Sequence, residues 1–171
     1  MKKLFPLILI LSFFTSAFAT DVAVLVKQHN DHSKMPDRPY GKNDLSFGAF
    51  LEFFEGPAGW RIGAMYAGDL SQTDGEGESM DIKRVITPEL TLLFQDNIWE
   101  TGISVLKDYV TTDEDSDWGG TYFQMQLGLN FPMGKSGSLG IHAFFPFDSF
   151  SDVSKFKFDN LDFGISARFR F

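Results

Sequence analysis

The sequence predicts an all-β fold, an eight-stranded antiparallel up-and-down transmembrane β-barrel, on three observations. Eight segments alternate apolar and polar residues with period two, the signature of strands with two different environments. Short turn-forming connections alternate strictly with longer polar ones, as in a closed meander. The apolar faces carry many of the 20 phenylalanines, and the opposite faces collect charges and glycines that could not form a soluble protein's core.

The first 19 residues stand outside this pattern. Met1, Lys2 and Lys3 precede an apolar run over residues 4–14, and Ser16-Ala17-Phe18-Ala19 supplies small residues at the spacing of a cleavage site. This is the plan of a secretory signal peptide, too short to span a membrane. Residues 1–19 are therefore read as a signal peptide and 20–171 as a single barrel domain of 152 residues. Without Lys2 and Lys3 that domain has 13 basic and 23 acidic residues, a net charge of −10. Such an excess repels phosphates, so no nucleic-acid partner is expected. There is no cysteine to staple an exported fold, which leaves the core or the membrane to hold it. No later stretch approaches the length of a helical membrane span.

The strands are placed at 21–28, 44–54, 59–68, 81–95, 97–110, 120–131, 138–147 and 161–171. In the second, Leu45, Phe47, Ala49, Leu51 and Phe53 share a face; in the third, Trp60, Ile62, Ala64 and Tyr66 do. The last is the most regular: Leu161, Phe163, Ile165, Ala167, Phe169 and Phe171 alternate with Asp162, Gly164, Ser166, Arg168 and Arg170. Glu55-Gly56-Pro57-Ala58, Gln95-Asp96-Asn97 and residues 132–137 carry the turn chemistry of short connections. Polar loops are expected at 29–43, 69–80, 111–119 and 148–160. Pro88 falls inside the fourth strand, where its missing N–H predicts a β-bulge; Pro146 lies near the end of the seventh.

The inward face follows from what an eight-stranded barrel can hold. Its interior is just wide enough to be filled by side chains. Lys27, Glu52, Arg61, Glu89, Glu100, Gln124, Gln126, Asn130, His142 and Arg168 suit such a lumen, so the phenylalanine face is assigned to lipid. Segments of about ten residues match a tilted bilayer crossing. Two aromatic belts agree: Phe53, Trp60, Phe94, Trp99, Phe131, Phe169 and Phe171 near the short turns, and Tyr66, Tyr109, Trp118, Tyr122, Phe147 and Phe150 near the long loops.

In its leader, strand number and final Phe163-x-Ile165-x-Ala167-x-Phe169-x-Phe171, the chain resembles the small outer-membrane β-barrels of Gram-negative bacteria, the OmpX and OmpA-transmembrane-domain type. The resemblance implies an outer-membrane location, with the N-terminus and short turns in the periplasm and the long loops outside. It also implies that Phe163, Ile165, Phe169 and Phe171 form the signal read by the barrel assembly machinery. Outer-membrane lipid and lipopolysaccharide would surround a monomeric wall. No periplasmic domain is expected after the barrel, so a peptidoglycan anchor of that kind is not.

Candidate sites fall in three places. Glu52, Arg61, Glu89, Glu100, His142 and Arg168 are expected to form a lumen charge network, since charges in a narrow low-dielectric space must pair. His142 has Ser104 and Ser166 at lumen parity and Glu89 as a conceivable acid; yet lipid A deacylase barrels carry His-x-Ser on a strand, and here the sequence is His142-Ala143-Phe144. No catalytic residue is assigned. His29 and His32 with Asp31 are read as solvated loop residues. Acidic loops contain Asp69, Asp74, Glu76, Glu78 and Asp81, and then Asp113, Glu114, Asp115 and Asp117. Asp113-x-Asp115-x-Asp117 offers weak divalent-cation contacts but is no EF-hand, with Trp118 at the glycine position and Gln124 at the twelfth. No cofactor or structural metal is expected. The expected function is structural or surface-interacting through the extracellular loops, with a small gated channel as the alternative and a lipid A-modifying enzyme third.

Overall fold

A computed structural model of the chain describes residues 19–30, 38–73, 79–155 and 158–171. The expected signal peptide falls, through residue 18, outside the described residues, as do Asp31, His32, Asp74, Glu76 and Glu78. Eight strands form: β1 (Ala19–Gln28), β2 (Leu45–Glu55), β3 (Ala58–Thr73), β4 (Ser79–Asp96), β5 (Trp99–Thr112), β6 (Ser116–Pro132), β7 (Gly137–Phe147) and β8 (Asp162–Arg170). Every strand pairs antiparallel with its chain neighbours, and β1 closes on β8, so that Val24 faces Ala49 on one side and Ala167 on the other. Closure leaves no unpaired edge. Two of the tight turns use left-handed glycines, Gly56 (φ 62°) and Gly134 (φ 70°), a conformation that costs other residues dearly.

The side-chain period sorts the two faces. Val24, Leu51, Ile62, Leu90, Val105, Leu127, Ile141 and Ile165, one from each strand, point outward and are 44–62% exposed, forming an apolar ring around the whole wall. A continuous ring of this kind is stable only against hydrocarbon. Trp60, Phe94, Trp99, Phe131 and Phe169 flank it at the short-turn end, and Tyr66 and Trp118 at the long-loop end. Two aromatics assigned to the second belt are not in it. Tyr122 shares parity with Gln124 and is buried in the lumen, and Phe147 is buried under the connection that follows it.

The wall is taller on one side than expected. β3 to β6 have 14 to 18 residues, against 9 to 11 in the other four strands. Pairing continues through Ser71↔Asp81 to Thr73↔Ser79, and through Val110↔Asp117 to Thr111↔Ser116. The expected loops 69–80 and 111–119 are therefore mostly hairpin. Much of that extension is polar on both faces, which removed the alternation by which a strand is recognised. The bulge expected at Pro88 is absent: Ala64↔Pro88 pairs in register, and the β4–β5 register is the same at Ile86↔Tyr109 and Glu89↔Leu106. A missing N–H drops a bond without inserting a residue. The register shifts instead lie between Ile82 and Arg84, and between Lys107 and Tyr109.

Candidate functional site

The lumen is the chemically distinctive region. All ten polar residues assigned to it are buried, none more than 5% exposed. Cross-strand register sets the first contact, because Glu52 on β2 lies directly opposite Arg61 on β3. Arg61 Nε donates to Glu52 Oε1 at 2.7 Å, Nη1 to Gln126 Oε1 at 2.9 Å and Nη2 to Glu100 Oε1 at 3.3 Å. Across the lumen Arg168 pairs through Nε with Glu52 and donates from Nη2 to Glu100 Oε2 at 2.5 Å and from Nη1 to Gln95 Oε1 at 3.1 Å. Gln126 Nε2 and Asn130 Nδ2 complete the Glu100 carboxylate at 2.9 and 3.0 Å. Two guanidiniums thus share two carboxylates, a neutral set whose members hold one another's lone pairs and protons. That arrangement is what makes buried charge tolerable.

His142 joins this cluster because glycine leaves it room. A Cβ at Gly128 or Gly140 would strike its imidazole. Its Nε2 lies 2.8 Å from Ser166 Oγ, and its Nδ1 3.8 Å from Glu100. Five of the six expected network residues therefore meet. Glu89 stands one layer away, accepting from Thr91 at 2.6 Å and Ser104 at 3.1 Å. Beside it the lumen turns apolar, with Ala23, Leu25, Phe50, Met65 and Phe144 packed together. Lys27 crosses above the Phe144 ring to Gln124 Oε1, 2.9 Å away.

Nearer the long-loop end, described residues of the connection between β1 and β2 enter the barrel mouth. His29, Arg38 and Tyr40 are all at most 4% exposed, so the solvated loop expected at His29 is corrected. His29 stacks on Tyr40 (ring centroids 3.7 Å apart), bonds Ser46 Oγ at 2.8 Å and pairs with Asp162 at 3.2 Å. Thr87 donates to Asp108 at 2.5 Å, which leaves the Tyr40 hydroxyl to donate to Thr87 at 2.8 Å. Tyr122 donates to the same carboxylate at 3.2 Å, and the Arg38 guanidinium lies 3.9 Å from the Tyr122 ring. Burial, with the nearby Asp108 charge, raises the Tyr40 phenol well above its ordinary pKa, so it stays a neutral donor.

Ser46, His29 and Asp162 have the bonding order of a hydrolase triad. Ser46 is fully buried, however, and the Tyr40 ring covers His29. No acyl group reaches Ser46 Oγ in this arrangement. Asp108 shares the strand parity of Glu100 and Ser104, a signal that marks it as a lumen residue; Arg38 and Tyr40 carry no periodic signal at all.

The remaining expected sites lie apart from the lumen. Asp113 pairs with Lys83. Asp115 and Asp117 accept from the following backbone N–H groups, of Ser116 and Trp118, at 2.7 Å each. Among the described residues no three acidic or histidine side chains converge on a metal position. Phe163, Ile165, Phe169 and Phe171 form an outward row, 49–88% exposed.

No protein-family model matches the sequence, and no curated protein is detectably similar to it. Among solved structures the chain is similar to the N-terminal β-barrel domain of Pseudomonas aeruginosa OprF, with a TM-score of 0.58 and 7% identity over 90% of this chain and 97% of that one. It is also similar to Ail, the attachment invasion locus protein of Yersinia pestis, solved with the heparin analogue sucrose octasulfate, at a TM-score of 0.47 and 14% identity over 90% and 99% of the two chains. The OprF likeness establishes a shared β-barrel fold.

Proposed function

We propose that this protein is a monomeric, non-conducting barrel of the Gram-negative outer membrane whose work is done at its extracellular, long-loop end, as a structural or surface-interacting component. The filled lumen carries this proposal: a neutral Arg–Glu cluster occupies the short-turn half and the Tyr40 insert occupies the opposite mouth. The apolar ring and the OprF-like fold support the membrane location. The raised β3–β6 wall presents the exposed acidic tip Asp113, Glu114, Asp115 and Asp117. Such a tip favours cationic groups on a partner, or divalent ions bridging to lipopolysaccharide phosphate. Outer-membrane lipid surrounds the wall, and the outward row through Phe163, Ile165, Phe169 and Phe171 supports recognition by the barrel assembly machinery.

Planar-bilayer recording tests the central claim. The purified barrel is expected to be silent, and to stay silent when Tyr40→Ala removes the mouth insert, because the Arg–Glu cluster still blocks the other half. Stable single-channel steps from the wild-type protein would refute it. One observation favours a gated channel as the second reading: both arginines can exchange carboxylates without changing the net charge of the cluster. Conductance that appears with Glu52→Gln and not in wild type would support that reading instead.

A further inference from the structure

The described residues of the last long connection run along the outside of the wall. Its two short 3-10 turns, Phe150–Lys155 and Phe158–Asn160, follow β7 directly. Phe150 packs on Phe123 and Phe147, with ring centroids 4.9 and 5.4 Å away, which anchors the first turn to β6 and β7. The Leu161 N–H to Phe158 carbonyl bond, 3.2 Å, closes the second turn where the chain enters β8. The consequence shows at Phe145. It has the outward parity of Ala143 and Ile141, yet only 7% of it is exposed, against 51% for Ile141.

Between these turns and the wall lies a half-open groove of about 420 Å³, lined chiefly by Met125, Leu127, Phe145, Val153, Leu161 and the largely exposed Phe158. A second hollow of about 250 Å³ continues down the same wall towards Trp99, Leu129 and Ile141, and the two share Leu127 and Ala143. Ala143 sets the groove's floor back, because a small side chain stands where Ile141 and Phe145 on either side of it carry large ones. From Phe145 to Ile141 the groove runs four residues along β7, roughly 13 Å at strand rise.

We propose that this roofed groove is a binding site for one acyl chain of an outer-leaflet lipid. The proposal rests on the outer-membrane reading, which puts the long-loop end in the outer leaflet. The occupant follows from position and chemistry. The groove is continuous with the apolar ring and almost entirely apolar, and a polar ligand would lose its hydration there without gaining partners. A chain held under Phe158 and Val153 touches protein on several sides, whereas one beside Leu51 or Ile62 on the opposite wall touches it on one. Dispersion contacts scale with that difference, so the site should retain a lipid longer than the rest of the wall does.

The test uses the full barrel in phospholipid vesicles containing a small fraction of phosphatidylcholine with a diazirine midway along one acyl chain. After illumination, mass spectrometry maps the labelled residues. Labelling at Met125, Leu127, Phe145 and Val153 several-fold above that at Leu51 and Ile62 is expected. Ala143→Trp, which fills the floor, should lower the groove signal several-fold and leave the opposite wall unchanged. Phe158→Ser, which thins the roof, should lower it without disturbing the barrel wall. Even labelling around the ring, or groove labelling that neither substitution changes, would overturn the proposal. A barrel that fails to insert, seen as loss of its heat-dependent gel shift, would overturn the membrane reading on which the proposal stands, and so would be distinguishable.

Discussion

Removing the Glu100 carboxylate tests whether the lumen cluster holds the barrel together. Glu100 is 1% exposed and accepts from Arg61, Gln126, Asn130 and Arg168. Glu100→Ala leaves two buried guanidiniums facing the single carboxylate of Glu52. Two unit charges about 4 Å apart interact by roughly 4 kcal/mol at an effective dielectric constant near 20. Breaking a buried pair by deleting one partner costs about 3–5 kcal/mol, because the remaining charge stays desolvated. The Gln126 and Asn130 amides also lose their acceptor, so the upper part of that range is expected. Equilibrium urea unfolding in phospholipid vesicles, followed by the fluorescence of Trp60, Trp99 and Trp118, measures the change. The sharper measurement is the double variant Glu100→Ala/Arg168→Met, which restores a neutral Glu52–Arg61 pair. It should be more stable than the sum of the single changes allows, with a coupling energy of about 2 kcal/mol or more. A Glu100→Ala barrel within about 0.5 kcal/mol of wild type, or strictly additive single and double variants, would refute the reasoning.

Three other outcomes follow from the same geometry. Gly128→Ala drives a Cβ into the His142 imidazole and should cost about 1–3 kcal/mol as overpacking; His142→Ala in that background should recover part of it, as thermal unfolding would show. Tyr40 ionises in the unfolded chain near its ordinary value, whereas in the folded protein burial, chiefly, and Asp108 raise its pKa. Its contribution to stability is therefore full below about pH 10 and is lost as pH rises towards the folded value. Urea midpoints should fall in that alkaline window and fall less in Tyr40→Phe. Asp113→Asn removes the pair with Lys83, whose two side chains are 62% and 59% exposed, and the unfolding free energy should change by less than about 1 kcal/mol.

The barrel itself was legible because a bilayer enforces a local rule. At membrane depth each residue faces lipid or lumen, so Val24, Leu51 and Ile62 alternate with Lys27, Glu52 and Arg61 and the face assignment can be read from parity alone. The lumen network was legible for the same reason in its membership but less so in its contacts. Parity put Glu89 and Glu100 on one face; only register and stagger separate them, leaving Glu100 with two arginines and Glu89 with Thr91 and Ser104. The rotation of His142 towards Ser166 rather than Ser104 depends on the empty space at Gly128 and Gly140, which no spacing rule conveys.

The departures from expectation gather at the long-loop end, and they have one cause. Beyond the hydrocarbon, polar residues are acceptable on both faces, so the outer turns of β3 to β6 lose their alternation while keeping their cross-strand bonds. At that mouth the strand residues Thr87, Asp108 and Tyr122 are joined by Arg38 and Tyr40, brought in from a connection that has no periodic pattern. The outer wall beside β7 is likewise covered by a connection, not a strand, so Phe145 and Phe147 are buried against their parity. The contacts that close the mouth join segments far apart in sequence, such as His29 to Asp162 and Arg38 to Asp148. The part of this protein least constrained by the membrane is thus the part set by long-range packing. The proposed surface role falls at that end, where side chains answer to contacts other than lipid and lumen.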